Sequence, residues 1–276
     1  MSVTAASPDA TSPVTQAFQR NGYHIARALL SPKEVATIRD TFMETAKNGP
    51  VEGLSSLPTK LDPNDPLSFY PRMMHPHTHP SLPVGPLAEK YLLDPRIESI
   101  LKECLGEQPI AVQTMFYFKP PGSRGQTLHQ DNYYLKVRPK TCCAAWIALD
   151  DADAENGGMS VVPGTQDLEI ACPEPADLST SFTTEFVRPP EGLVPRLLDL
   201  KAGDVLFFNG SVVHGSTPNT SKERFRRALI CHYVPESTEE LSHWYFGAIR
   251  TFDGSVKDGI RKSTWGGPCG TDAGHH

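Results

Sequence analysis

"TLHQDNYYL", Thr127 to Leu135, poses the question on which the fold turns. Read as a β-strand, it sends alternate side chains to opposite faces, so His129 and Asp131 share one face and Gln130 points away. A histidine and a carboxylate two apart are either an ordinary half-buried polar pair or two of the three protein ligands of a catalytic metal. By itself the pair does not decide between these.

Runs of similar character surround it. "IAVQTMFYFKPPG" (110–122), "CCAAWIALDDA" (142–152), "GMSVVPGTQ" (158–166), "DVLFFNGSVVHGS" (204–216) and "RRALICHYVP" (226–235) are short and rich in β-branched and aromatic residues. Turn signals such as PPG, ENGG and KAGD separate them. Many short strands joined in this way predict a sandwich or jelly roll, and helical patterns gathered upstream make the class α+β, mainly β. A third ligand is available in "VVHGSTPN", where His214 must come from a strand distant in sequence. Two histidines and a carboxylate on one face of an octahedron leave positions open, the arrangement of non-haem Fe(II) oxygenases.

In order along the chain, "KPPG", "LHQD", "AAWIALDDADAENGGMSVVPGTQ", "KAGDVLFFNGSVVHGS" and "RFRRALICHYV" resemble the phytanoyl-CoA dioxygenase family of Fe(II)/2-oxoglutarate oxygenases. The resemblance is strong over 110–235 and looser over the N-terminal helices. It implies a double-stranded β-helix, a jelly-roll, cupin-like barrel with the iron at its mouth and the N-terminal helices packed on one sheet. It also implies Fe(II), 2-oxoglutarate as cosubstrate and O₂. His129, Asp131 and His214 match the metal ligands, and the retained carboxylate sets the chain apart from halogenating relatives, in which a small residue makes room for chloride.

A buried dicarboxylate needs its far end paired, and arginine offers a bidentate fork. The family's arginine matches Arg226, with Arg227 the alternative if the register slips. Period-2 alternation sets Arg224 on the face of Arg226 and Arg227 on the other, and the remaining cations of that cluster read as solvated. The resemblance further implies Ser216 beside the same carboxylate, Trp146 and Gln113 near the cosubstrate, Met115 on the wall, and Arg72 reaching cosubstrate or substrate. Tyr133, Tyr134 and Arg138, which follow the His-x-Asp strand, are candidates for substrate contact.

Other features are given no chemistry. "HPHTHP" puts His75, His77 and His79 at alternate positions, but interleaved prolines and the lack of a carboxylate argue against a second metal. Asn156-Gly157-Gly158 is a turn. Cys142 and Cys143 point to opposite faces of a strand. His232 and His243 read as satisfied core histidines, and His275 and His276 are either native or appended.

The expected reaction hydroxylates an unactivated C–H bond of a small or medium-sized metabolite, with formation of succinate and CO₂. Desaturation, epoxidation or cyclisation of a natural-product scaffold is the alternative outcome of the same chemistry. Two rivals of other classes are a non-catalytic cupin-like binding or sensing module and a metal-independent jelly roll that binds carbohydrate or protein.

Upstream, "SPKEVATIRDTFMETAKNG" (31–49) predicts a helix, with Ser31 as cap, Pro32 at the first position and Glu34 closing a capping box. "FQRNGYHIARAL" before it reads as an opening strand, Pro50–Pro86 as a long surface loop, and Gly85–Gly106 as one or two helices. The organisation expected is a flexible leader over 1–16 and one domain over 17–276: helical support 17–106, barrel core about 107–236 and a C-terminal extension 237–276. Of 276 residues, 38% are hydrophobic and 21% charged, ordinary for a globular domain. A net charge of −6 argues against nucleic acid as partner. No apolar run could span a bilayer, and the N-terminus lacks the basic and apolar regions of a secretory signal, so a cytoplasmic enzyme is expected, monomeric or homodimeric. The six cysteines lack a C-x-x-C pair and read as buried reduced thiols.

Overall fold

The computed structural model describes residues 11–57 and 64–264, beginning with a helical N-terminal third. Helix α1 (Pro13–Asn21) starts on the Ser12 cap and stops at Gly22, which adopts the left-handed φ of 78° that glycine tolerates. Two expectations are corrected here. The leader ends before Pro13, its residues 1–10 lying outside the described set, and Phe18–Asn21 are helical, because Ser12 and Pro13 supply a cap and first turn. Only β1 (Tyr23–Ala26) is strand. Helix α2 (Pro32–Thr45) has both halves of its capping box and buries Val35, Ile38 and Phe42.

Next come α3 (Pro66–Phe69), β2 (Met73–Met74), α4 (Val84–Leu92) and α5 (Pro95–Leu105), the last capped by Asp94 and closed by Gly106. The reading of Pro50–Pro86 as a surface loop is therefore also corrected. Met73 and Met74 pair with β3 (Pro109–Tyr117), and Leu54, Met73 and Val84 are buried.

The remaining elements are β4 (Gln126–His129), the short helix α6 (Asp131–Leu135), β5 (Cys143–Ala148), β6 (Met159–Val161), β7 (Glu174–Pro175), β8 (Glu185–Phe186), β9 (Arg196–Leu197), β10 (Val205–Asn209), β11 (His214–Ser216), β12 (Ala228–Pro235), β13 (Glu240–Leu241) and β14 (Arg261–Lys262). Six strands form an antiparallel sheet in the order β1-β10-β5-β12-β3-β2, and four form a second in the order β4-β11-β6-β9. The class is α+β, mainly β, with antiparallel sheets.

Alternation organises the core. Cys143, Ala145, Ile147, Phe207, Leu229, Cys231 and Tyr233 pack outward on the helices, where Phe42 stacks on Phe116 at 4.0 Å between ring centroids. Ala144, Trp146, Leu206, Phe208 and Ile230 face inward and meet Met159 and Val161 of the smaller sheet. A third cluster joins Tyr133, Tyr134 and Leu135 to Leu241, Tyr245 and Ile249 of the C-terminal extension.

Cys104, Cys142, Cys143 and Cys231 are free thiols, as read from the sequence. Cys172 is not: it is exposed and disulfide-bonded, a correction to the uniform reading of the cysteines. Cys269, His275 and His276 lie outside the described residues. No helix among the described residues is long and apolar enough to cross a membrane.

Candidate active site

The strand reading of Thr127–Leu135 fails after His129. Gln130 takes the N-cap position, Asp131 opens α6, and Lys136 ends it in the left-handed region at φ 53°. Asn132 secures the bend, since its N–H donates to Gly210 O at 2.9 Å and its Oδ1 accepts from Val137 N at 2.8 Å. Gln130 turns away and donates to Ser211 O at 2.8 Å. His129 and Asp131 therefore share a site across a strand-to-helix junction, not along one pleated face. His214 begins β11 directly opposite His129 in register.

Three ligand atoms converge. Asp131 Oδ1 lies 3.4 Å from Nε2 of His129 and 3.4 Å from Nε2 of His214, with all three side chains buried. Each imidazole is oriented by its other nitrogen. His129 Nδ1–H donates to Thr127 O at 2.8 Å, and His214 Nδ1–H donates to Val212 O at 2.9 Å. Both Nε2 lone pairs are thereby directed at one point, the arrangement of metal-ligating histidines. Burial and then the neighbouring His214 hold His129 below its ordinary pKa, which favours the neutral ligand form. Burial also opposes protonation of His214, but the Asp131 carboxylate and the Val212 carbonyl outweigh it and raise its pKa. The donor set fits Fe(II), one carboxylate and two imidazoles on one side of an open cavity. Among the described residues no other group of His, Cys, Asp or Glu gathers three ligand atoms. His77, from the histidine run, instead accepts from Thr114 Oγ1 at 2.6 Å and donates to Ala248 O at 3.1 Å.

The cavity holding this triad has a volume of about 180 Å³. At its deep end Arg226 is buried, its guanidinium 5.3 Å above the Trp146 ring and its Nε donating to Gly157 O at 3.2 Å. Burial lowers its pKa to about 10, which leaves it charged at neutral pH. Arg227 leaves the chain on the other side and forms an ion pair with Asp150 at 2.7 Å, so of these two arginines it is Arg226 that lines the cavity. Arg224 does not share its face. Residues 222–227 are not strand, and Arg224 pairs with Asp153 and Glu155. Met115, Trp146, Ser216 and Arg72 line the cavity, whereas Gln113 is fully buried one inward position further along β3.

The candidates for substrate contact divide differently. Tyr133 and Tyr134 are buried in the third core cluster because α6 rolls them off the strand face, and Tyr134 packs edge-on against His129 at 6.2 Å. Arg138 is exposed and lies outside this cavity.

Sequence reasoning missed two residues and undervalued a turn. Lys119 is buried and donates from Nζ to Ser216 Oγ at 2.8 Å. Burial and then the adjacent Arg226 push its pKa well below that of an ordinary lysine. The parity that turns Met115 and Tyr117 inward extends to Lys119, so the signal was present in "MFYFK". His232, read as a core histidine, donates from Nε2 to Asp131 Oδ2 at 3.0 Å and lines the cavity. The Asn156-Gly157-Gly158 turn backs the anion end. A Cβ on Gly157 would stand 2.5 Å from Lys119 Cε and 2.4 Å from Thr217 O, so only glycine fits between them.

A profile of the phytanoyl-CoA dioxygenase (PhyH) family matches residues 18–228. The chain is 29% identical over 157 residues to phytanoyl-CoA dioxygenase 1 of Oryza sativa subsp. japonica, covering 55% of this chain and 54% of the relative. It is 31% identical over 168 residues to the phytanoyl-CoA dioxygenase domain-containing protein 1 homolog of Caenorhabditis elegans, with 58% of each covered. The chain thus spans about half the length of the curated relatives it matches. Among solved structures, iron-bound EctD from S. alaskensis superposes with a TM-score of 0.66 at 17% identity, covering 94% of this chain and 90% of that one. The α-ketoglutarate-dependent carbocyclase SnoK from nogalamycin biosynthesis gives 0.65 at 22%, covering 84% and 86%. At these identities the likeness to the solved structures is one of fold.

Proposed function

The chain belongs to the phytanoyl-CoA dioxygenase family, and from that premise we propose that it is an Fe(II)- and 2-oxoglutarate-dependent dioxygenase hydroxylating a small or medium-sized metabolite. The two antiparallel sheets are read with it as a double-stranded β-helix of jelly-roll type. The observation that carries the proposal is the convergence of His129 Nε2, His214 Nε2 and Asp131 Oδ1, each imidazole oriented through its Nδ1 by a main-chain carbonyl.

His129, Asp131 and His214 would hold the iron. Held there with 2-oxoglutarate and O₂, iron would supply the oxidative decarboxylation of the cosubstrate to succinate and CO₂ that is coupled to oxygen insertion into a C–H bond. What the chain itself contributes is placement. Arg226, Lys119 and Ser216 form the receptor for the far carboxylate of 2-oxoglutarate: one charged fork, one lysine amino group and one hydroxyl in a buried pocket. Trp146 fixes the plane of the Arg226 guanidinium, and Gly157 O anchors its Nε. Met115, Trp146 and Phe208 exclude water from the wall, which strengthens those charge interactions. His232 keeps Asp131 Oδ2 occupied and so leaves Oδ1 turned toward the two imidazoles.

The test is 2-oxoglutarate-dependent succinate formation by purified protein with Fe(II) and ascorbate, screened against a metabolite library. Wild type is expected to form succinate and Asp131→Ala none above the iron-free background. Equal rates for the two proteins would sink the assignment.

A further inference from the structure

The smaller sheet turns one more polar side chain into the cavity than the triad and its anion receptor use. Gln126 opens β4, three residues before His129, and strict alternation would send the two to opposite faces. The pairing with β11 shifts between them. His214 stands opposite His129 and Ser216 opposite Gln126, so three steps along β4 match two along β11. The extra residue is a β-bulge, and it returns Gln126 to the face of His129. The neighbouring Gly125 lets the strands meet closely there, since a Cβ on it would stand 2.2 Å from Ser216 O. Among the described residues that line the cavity, Gln126 is the only carboxamide, and it is buried.

Its position is specific. Gln126 Nε2 lies 3.2 Å from His129 Nε2. Because His129 Nδ1–H is given to Thr127 O, Nε2 carries a lone pair, and the amide N–H points at it. That lone pair is the one directed at a metal. A cation there repels an amide hydrogen, which then finds its acceptor in an oxygen held beside the cation. At its other end Gln126 meets the anion receptor: its main-chain N–H donates to Ser216 Oγ at 3.4 Å, and Lys119 Nζ donates to the same oxygen at 2.8 Å. One residue thus runs from the triad to the receptor, along the track of a 2-oxoglutarate held at both ends.

We infer that Gln126 is a further cosubstrate-binding residue, whose carboxamide N–H donates to the 2-oxo acid end of 2-oxoglutarate. Arg226, Lys119 and Ser216 take the far carboxylate, so the two ends are recognised by separate groups. The bulge in β4 is the device that places the amide. This rests on the dioxygenase reading and goes beyond it, since neither the triad nor the receptor requires a carboxamide at this position.

The experiment separates the two. Anaerobic protein is titrated with Fe(II) by calorimetry, and then with 2-oxoglutarate by visible charge-transfer absorption. Gln126→Leu removes the donor at similar volume. It should weaken 2-oxoglutarate about tenfold and move the absorption maximum, with Fe(II) affinity unchanged. Gln126→Glu, nearly isosteric, replaces the donor by a negative charge and should weaken 2-oxoglutarate further, while retained Fe(II) binding reports an intact site. Arg226→Gln, acting at the far end, should weaken 2-oxoglutarate and leave the maximum where it is in wild type. If no band forms in wild type, the dioxygenase reading falls and this inference with it. If the band forms, three results overturn this inference alone: an unchanged 2-oxoglutarate affinity in Gln126→Leu, a loss with an unmoved maximum, or a loss that falls on Fe(II) instead.

Discussion

On β12, Leu229, Cys231 and Tyr233 leave the strand on one side, and Ile230 and His232 on the other. The outward set meets helices and is apolar without interruption; Tyr233 gives its hydroxyl to Leu92 O at 2.9 Å. The inward set alternates apolar and polar, because it lines the cavity that holds the His129, Asp131 and His214 cluster. The same division holds on β3, with Phe116 outward against Phe42 and Met115, Tyr117 and Lys119 inward. One pleated sheet thus carries stability on one face and chemistry on the other, and the period of 2 keeps them apart.

That separation predicts which measurements move with which face. The largest effect is expected outside. Phe42→Ala removes a fully buried ring stacked on Phe116 and should cost about 3–5 kcal/mol in a denaturant titration. Iron affinity of the folded fraction should not change, and a parallel loss of iron would break the comparison. Inside, Arg226→Ala removes one charged partner from a buried receptor and should raise the KM for 2-oxoglutarate about a hundredfold. The denaturation midpoint should move far less than in Phe42→Ala. A smaller change is expected from His232→Ala, which frees Asp131 Oδ2 and should weaken Fe(II) binding by about 10–100-fold. His232→Gln, which keeps a donor, should recover part of that affinity, and a purely packing role for His232 would leave both variants equal in metal binding.

The outer face was easy to read from the sequence. Its strands are continuous apolar runs, and the helices that cover them announce their starts, as Ser31-Pro32-Lys33-Glu34 does for α2. The helix of Pro13–Asn21 was hidden because a Ser-Pro-rich leader and a true Ser-Pro cap look alike until the following residues find something to pack against. Pro50–Pro86 gave no periodicity because its strand is only two residues long and owes its existence to β3.

The inner face was legible by type more than by position. His129, Asp131 and His214 stood out because imidazole and carboxylate have few reasons to recur inside a β-rich core. Their convergence did not depend on the strand geometry first assumed, since a helical turn at Asp131 aims the carboxylate just as well. The choice of Arg226 over Arg227 follows from residues far away in the chain: Asp150 draws one outward, and Trp146 with Gly157 receives the other. Tyr133 and Tyr134 sit where α6 rolls them, in the core shared with Leu241 and Tyr245.

What this sequence determined by itself is the alternation of strands, the capped helices and the chemical identity of the three groups proposed to hold the iron, all written in local residue type and spacing. What tertiary structure decided is which side chains share the cavity and which are neutralised before they reach it. Lys119 beside Ser216 and His232 on Asp131 are relations between strands distant in sequence. Only the closing of the two sheets on one another brings such groups within reach and removes the water that would otherwise make their charges indifferent to one another.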